Sequence, residues 1–462
     1  MIREYDTIAA IATSVSNAGI GKIRISGEDT LRILDNIFEP YNKKYGPGHW
    51  DSHRIYLGYI KDHEEIIDEC IVLIMKAPHS YTREDVVEVD CHGGVQVVYR
   101  ILSLILRQGA RAAEPGEFTK RAFLNGRIDL SQAEAVMDLI ESKNDASRRN
   151  SILQMKGNLS EKIKTLREDI LYQIAYIESA LDDPEHISLD GYADQLAQHV
   201  ADWIDTDERM LASYDDGRFI SEGIRTCIVG KPNAGKSSFL NVLLGEERAI
   251  VTDVAGTTRD TLEESVTIDG ITLNIIDTAG IHETEDKVEK IGVEKARREI
   301  AQADLILFIM DMADSISRED IQILSEIRGR RKIILLNKSD LGEAWDRDSI
   351  GPYLEEDTPC IMISAKYNQG IDLFINELKK MMFHGRIDET QDFYITNARH
   401  KNALEEALES LKMVQSSILD RMPEDFFTID MMNAYESLGS IVGESLEEDL
   451  VNEIFSRFCT GK

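Results

Sequence analysis

Cysteine is scarce and scattered. Five residues (Cys70, Cys91, Cys227, Cys360 and Cys459) are spread over 462 positions without one C-x-x-C pair, which excludes a disulfide framework and leaves a thiolate zinc site unsupported. Long apolar runs are also missing. The longest, such as Cys70 to Met75 and Leu305 to Met310, fall far short of the roughly 18 residues that span a bilayer. Residues Met1 to Asp6 form no apolar core and carry acid early, so no export signal is expected. Basic charge is in deficit, with 52 Lys and Arg against 84 Asp and Glu and a net charge of −32. Grip on a nucleic-acid backbone comes from clustered cations, so any RNA would have to be held by a local patch or by a partner. These absences predict a soluble cytoplasmic protein with no membrane attachment.

Core material is ample. With 42% apolar and 29% charged residues, wholesale disorder is excluded, and the length suits about two to four domains. Over the first 110 or so positions, Thr7 to Thr13, Lys22 to Ser26, Cys70 to Lys76 and Val86 to Cys91 read as strands and Gln96 to Arg107 as a helix, a small α/β unit. From Ser131 to about Leu181 the chain has no Pro and a single Gly, Gly157, with apolar residues at helical spacing (Ile163, Leu166, Ile170, Ile174). A second helical stretch ends near Tyr214, and a third begins near Asn397 with the stripe Leu404, Leu408, Leu411 and Val414. Such stripes are bundle core. Between them, strand-like runs at 225–229, 273–276, 305–310, 332–336 and 360–363 alternate with helical segments, which implies a parallel sheet covered by helices on both faces.

That inserted segment carries nucleotide chemistry. Gly230-Lys231-Pro232-Asn233-Ala234-Gly235-Lys236-Ser237 fits the G-x-x-x-x-G-K-S phosphate loop between a strand and a helix. Its backbone N–H groups, from Asn233 through Ser238, would cradle phosphates, Lys236 would place a charge on the β and γ oxygens, and the Ser237 hydroxyl suits Mg²⁺. Asp277-Thr278-Ala279-Gly280 follows a strand, where the carboxylate reaches the Mg²⁺ shell and the Gly280 N–H senses the γ-phosphate. Asn337-Lys338-Ser339-Asp340 ends the next strand but one. Asp340 can accept from N1–H and the 2-amino group of guanine, whereas adenine offers a lone pair there and leaves the carboxylate unpaired. Ser364-Ala365-Lys366 completes the order with contacts to the base. Many GTPases orient the attacking water with Gln directly after the second of these segments; here Ile281 stands instead, and its side chain cannot hydrogen-bond. The candidates for that task lie downstream: Glu283, Glu285, Asp286, Glu289 and Glu294. No arginine finger is evident, and a cation is the other means of neutralising charge between the β and γ phosphates.

The chain resembles the MnmE (TrmE) family of tRNA-modification GTPases over essentially its whole length. The resemblance rests on Gly19-x-Gly21-x-Ile23-Arg24-Ile25-Ser26-Gly27, on Ser80-Tyr81-Thr82-x-Glu84-Asp85-Val86-Val87-Glu88 leading to His92-Gly93-Gly94, and on Pro115-Gly116-Glu117-Phe118-Thr119. Residues Arg121 to Leu130, the GTPase segments and the terminal Cys459-Thr460-Gly461-Lys462 complete it. It implies an α/β multidomain chain in which a P-loop GTPase domain with a doubly wound, mostly parallel sheet (218–381) is inserted in a helical bundle domain (118–217 plus 382–462). A small α/β folate-binding and dimerisation domain (1–117) precedes them.

The resemblance further implies a homodimer that works with the flavoprotein MnmG in a heterotetramer-type complex. FAD and NADH would be on the partner, and tRNA would be held mostly through it. The product would be an aminomethyl or carboxymethylaminomethyl group on carbon 5 of the wobble uridine. By motif position, Arg24, Glu88, Arg127 and Lys462 would hold 5-formyl-tetrahydrofolate or a related folate; read without the resemblance, the two arginines are ordinary surface charges. K⁺ would be held by Asn233, Thr252, Val254 and Thr257 within the GTP-contacting run Thr252-Asp253-Val254-Ala255-Gly256-Thr257-Thr258. Thr258 would join Ser237 on Mg²⁺, and Glu289 would be the catalytic carboxylate. Cys459 is open to two readings, a nucleophile near the folate or a structural thiol. The family more often has Arg at position 282 and Ile at 460, where this chain has His282 and Thr460. The alternative is a regulatory GTPase of the ribosome-assembly type without one-carbon chemistry. Such proteins usually append a basic RNA-binding domain, which 381–462 does not show.

Overall fold

The structure, a computed structural model, describes residues 6–245, 250–251, 263–277, 298–342, 345, 349–383, 393–444, 448–458 and 461. The chain divides into two compact units. One comprises Met1–Met137, Gln154–Asp182 and Met431–Lys462, and the other Asp138–Leu153 and Asp183–Asp430.

The first unit is built on a seven-stranded sheet. Its strands are β1 (Ile8–Ile11), β2 (Ile20–Ser26), β3 (Phe38–Pro40), β4 (Arg54–Asp62), β5 (Glu65–Met75), β6 (Val86–His92) and β7 (Arg111–Ala112), in the order β3-β4-β5-β6-β2-β1-β7. All neighbours are antiparallel except β1 and β7. The period-2 alternation of β2 and β6 sorts their side chains. Ile23, Ile25, Val87 and Val89 are buried with Ile33 and Leu34 of helix Thr30–Ile37 and Ile101 and Ile105 of helix Val95–Arg107. Lys22, Arg24, Glu88 and Asp90 therefore share the opposite face, and the register sets Arg24 beside Glu88 and Lys22 beside Asp90. The remainder of this unit is helical. Asn158–Asp182 buries Ile163, Leu166, Ile170 and Ile174, and Val451, Phe455 and Phe458 near the chain's end pack with Leu130 and Ala133.

The second unit holds another seven-stranded sheet. Its strands are β8 (Ile224–Val229), β9 (Ile250–Val251), β10 (Glu263–Ile268), β11 (Ile271–Asp277), β12 (Leu305–Asp311), β13 (Lys332–Asn337) and β14 (Cys360–Met362), in the order β14-β13-β12-β8-β11-β10-β9. The five expected strands pair in parallel, while β9 and β10 add an antiparallel edge. Strand β12 is buried from Leu305 to Met310, as expected for a strand covered on both faces. The long helices Tyr192–Ala212 and Ala398–Leu419 complete the unit, burying Leu196, Val200, Trp203 and Ile204 on one and Leu404, Ala407, Leu411 and Val414 on the other. Among the described residues, no helix is long and apolar enough to cross a membrane and no His, Cys, Asp and Glu cluster suits a metal ion. Cys70, Cys91, Cys227 and Cys360 form no disulfide.

Candidate functional sites: a phosphate loop and a buried arginine–glutamate cluster

The phosphate loop leaves β8 and enters helix Lys236–Gly245, whose first N–H groups and dipole favour anions. Asn233 lies in the left-handed region at φ 62° and is exposed. Gly235, at φ 102°, could carry no side chain, because a Cβ would run into the Asn337 amide. The Lys236 ammonium is drawn in by the Gly230 and Lys231 carbonyls, at 2.6 and 3.0 Å. Ser237 and Ser238 are exposed on the first turn. Asn337, at the carboxyl end of β13, links the nucleotide-binding segments. Its amide nitrogen donates to Ala234 O at 2.8 Å, and its amide oxygen accepts from Ala365 N at 3.1 Å. Ser364 donates to Asp340 Oδ1 at 2.6 Å, fixing the exposed carboxylate expected from the sequence to meet guanine. Lys338, at φ 64°, sends its ammonium back to Asp311 Oδ2 at 2.6 Å, and Lys366 lies over the Tyr367 ring. The backbone of Asp277 ends β11 beside Ile228 of β8, close to where the loop begins. Residues 252–258, Thr278, Ala279, Gly280, Ile281, His282, Glu283, Glu285, Asp286, Glu289 and Glu294 lie outside the described residues.

On the open face of the first sheet, Glu88 is 7% exposed. Arg24 addresses its Oε1 from Nε at 2.9 Å and Nη2 at 2.8 Å, while the Lys22 ammonium binds Oε2 at 2.5 Å and stands 3.3 Å from Asp90 Oδ1. Burial works against the Glu88 charge, but the bond from Lys22 and the charge of Arg24 outweigh it and hold the carboxyl below its ordinary range. Arg24 Nη1 also donates to the Gly461 carbonyl at 3.3 Å. Gly461, at φ 91°, lies so close to Ile11 O that a Cβ has no room. The guanidinium groups of Arg24 and Arg127 lie 5.3 and 4.7 Å from the centre of the same ring, Tyr81, whose hydroxyl meets Thr119 Oγ1 at 2.9 Å. Beneath them, Ser26 donates to Glu84 at 2.6 Å and so accepts from Thr82 at 2.7 Å. Buried Arg121 ties Glu84 to Asp6 and Glu117. The structure thus brings Arg24, Glu88 and Arg127 together around Tyr81. Lys462 and Cys459 lie outside the described residues.

Comparison with known proteins gives a consistent answer. A family model described as the MnmE helical domain matches residues 130–459, and one described as the GTP-binding protein TrmE N-terminus matches 7–127. The tRNA modification GTPase MnmE of Lachnoclostridium phytofermentans is 54% identical over 99% of both chains, and that of Clostridioides difficile 45% identical over 99% of both. The chain belongs to the MnmE family. It is accordingly a GTP hydrolase, with its P-loop on the second sheet. A solved structure of Aquifex aeolicus Era bound to GDP·AlF₄⁻ is 29% identical and covers 41% of this chain and 67% of that one, but its TM-score of 0.29 carries no argument.

Three further side chains stand at these sites of the MnmE-family chain. Lys22 shares Glu88 with Arg24, Tyr81 is the plane under both arginines, and Asp311 holds Lys338. Tyr81 stands inside a quoted motif, and Lys22 has the same strand parity as Arg24, so both signals were present in the sequence. Asp311 ends a strand and carries no motif of its own.

Proposed function

We propose that this MnmE-family chain hydrolyses GTP to GDP and phosphate as the driving half of a tRNA-modifying system. With the flavoprotein MnmG it would install the aminomethyl or carboxymethylaminomethyl group at carbon 5 of the wobble uridine of certain tRNAs in the cytoplasm. The observation that carries this reading is the join at Arg24, where β2, Glu88 of β6 and the carbonyl of Gly461 converge. A GTPase that only timed ribosome assembly would have no use for a buried cluster of this kind beside the chain's last residues.

The donor set suits a reduced folate. The ionised Glu88 carboxylate can accept from the 2-amino and N3–H edge of a pterin, Tyr81 offers a plane for stacking, and Arg24 and Arg127 match glutamate-tail carboxylates. Lys462 is assigned to the same ligand. When bound, a formyl-tetrahydrofolate supplies the one-carbon unit. In the GTPase unit, the exposed Ser237 hydroxyl together with Thr258 suits Mg²⁺, and the exposed Asn233 amide with Thr252, Val254 and Thr257 suits K⁺. These cations supply positive charge between the β and γ phosphates. Glu289 would then orient the water that Ile281 cannot. The working partition is 1–117 for folate and dimerisation, 118–217 with 382–462 for the helical bundle, and 218–381 for GTP. A homodimer is supported by an uncovered apolar row on the first sheet, Ile55, Leu57 and Ile71, at 69%, 46% and 43% exposure.

Mass spectrometry of wobble uridines from cells lacking the protein tests the proposal. Loss of the carbon-5 modification is expected, and unchanged nucleosides would leave the ribosome-assembly reading in its place.

A further inference from the structure

We propose that Lys22 is a positioning residue of the folate site: by bridging Glu88 and Asp90 it holds the Glu88 carboxylate in place as a double acceptor for the ligand. The inference rests on the folate reading of that site. Lys22 stands next but one to Arg24 on β2, and both point to the open face with Glu88 and Asp90. The two cations divide the carboxylate between them, Arg24 on Oε1 and Lys22 on Oε2.

The need for a second cation follows from the local charge count. Facing this spot are Lys22 and Arg24 from β2, Glu88 and Asp90 from β6, and Arg127 over Tyr81; Glu84, at Ser26, is taken by Arg121. From β5 the cross-strand neighbours are Leu73 opposite Glu88 and Ile71 opposite Asp90, both apolar. Asp90 Oδ1 is buried and hydrogen-bonded to none of the described groups, so the Lys22 ammonium at 3.3 Å is the charge that offsets it. Without Lys22, Arg24 would be the one cation among the described residues bonded to either carboxylate. Burial already opposes the ionised form of Glu88, and the bond from Lys22 is the first influence set against it. Glu88 would then take up a proton more readily. A protonated carboxyl presents an O–H where the pterin edge presents N–H, so the paired hydrogen bond is lost.

The test is calorimetric titration of the full-length protein with 5-formyl-tetrahydrofolate at about pH 6 and pH 8, a range in which the ligand's own charge is constant. The proteins compared are wild type, Lys22→Met and Lys22→Arg, with melting curves at both pH values to confirm folding. Wild type should bind with nearly the same affinity at both. Lys22→Met should bind more weakly at pH 6 than at pH 8, because a Glu88 without that bond is protonated more readily as the pH falls. Lys22→Arg should restore the flat profile. A Lys22→Met profile as flat as that of wild type, or equal losses at both pH values that arginine does not rescue, would overturn the positioning role while leaving the folate site standing. Absence of binding by wild type would instead remove the folate reading itself.

Discussion

Asp207 is the residue whose surroundings least suit its charge. It is fully buried in helix Tyr192–Ala212, and neither carboxylate oxygen is hydrogen-bonded among the described residues. Burial, reinforced by adjacent Glu208 and opposed by Lys412, pushes its pKa from 3.8 up to about 8. Lys412 itself is committed to Glu208 at 2.7 Å. A carboxyl whose folded pKa is raised keeps a proton that the unfolded chain gives up, so stability falls as pH climbs from about 4 towards 8 and levels off above. At about 1.36 kcal/mol per unit the loss has an upper bound of about 6 kcal/mol, and local relaxation reduces it to a few. Asp207→Asn keeps the shape and removes the titration. Its melting transition should lie above that of wild type at pH 8 and converge with it near pH 4.5. Scanning calorimetry across that range checks this, and parallel wild-type and variant curves would show that Asp207 is not the titrating group.

At the scale of elements, the β10–β11 hairpin is laced to the short helix Tyr214–Glu222 that leads into β8. Asn274 on β11 accepts from Ser265 of β10 at 2.8 Å and donates to the Glu222 carbonyl at 2.8 Å. Asn144 donates to Ile220 O and to Thr272 Oγ1 at 3.0 and 3.1 Å. The hairpin is thus hydrogen-bonded to that helix, while its strand β11 ends at Asp277, beside Ile228 of β8. Asn274→Ala removes both bonds at once and should cost about 1–3 kcal/mol. Urea unfolding followed by release of a fluorescent GDP should show the midpoint fall, and an unchanged midpoint would mean the lacing is idle.

This hairpin also marks the limit of reading elements from sequence. The five parallel strands were legible because burial on both faces leaves near-continuous apolar runs. Strand β10 opens on two glutamates, Glu263 and Glu264, which hide it in the sequence although Asp269-Gly270, both at positive φ, carries the two-residue turn signal. Strand β4 was missed for a related reason: its apolar residues lie on both faces, with Tyr56 and Ile60 buried and Ile55 and Leu57 exposed, so no alternation shows. The site divides in the same way. Motifs closed within a few residues, such as the phosphate loop, were legible, while Lys22–Glu88 depends on two strands 66 residues apart meeting in one register.

For the whole molecule, a net charge of −32 opposes close approach of two copies, so dimerisation needs apolar surface to outweigh repulsion. The first sheet offers it. Leu57 and Ile71 are cross-strand neighbours on its open face, with Ile55 next but one to Leu57 along β4. Scattered exposed apolar residues are ordinary, but a row on a flat sheet beside a charged cluster is the form an interface takes. If the proposed homodimer forms there, Leu57→Glu sets an unpaired charge at its centre and should cost several kcal/mol of association, enough to give monomers at micromolar concentration. Sedimentation at about 0.15 M KCl reads this directly. GTP turnover reads the consequence if the proposed K⁺ site works only in the proposed dimer. Wild type should turn over markedly faster in K⁺ than in Na⁺, and Leu57→Glu should show the Na⁺ rate in both salts at low protein concentration. A variant that stays dimeric would place the interface elsewhere, and a wild type indifferent to the monovalent cation would remove the assignment of Asn233 to K⁺.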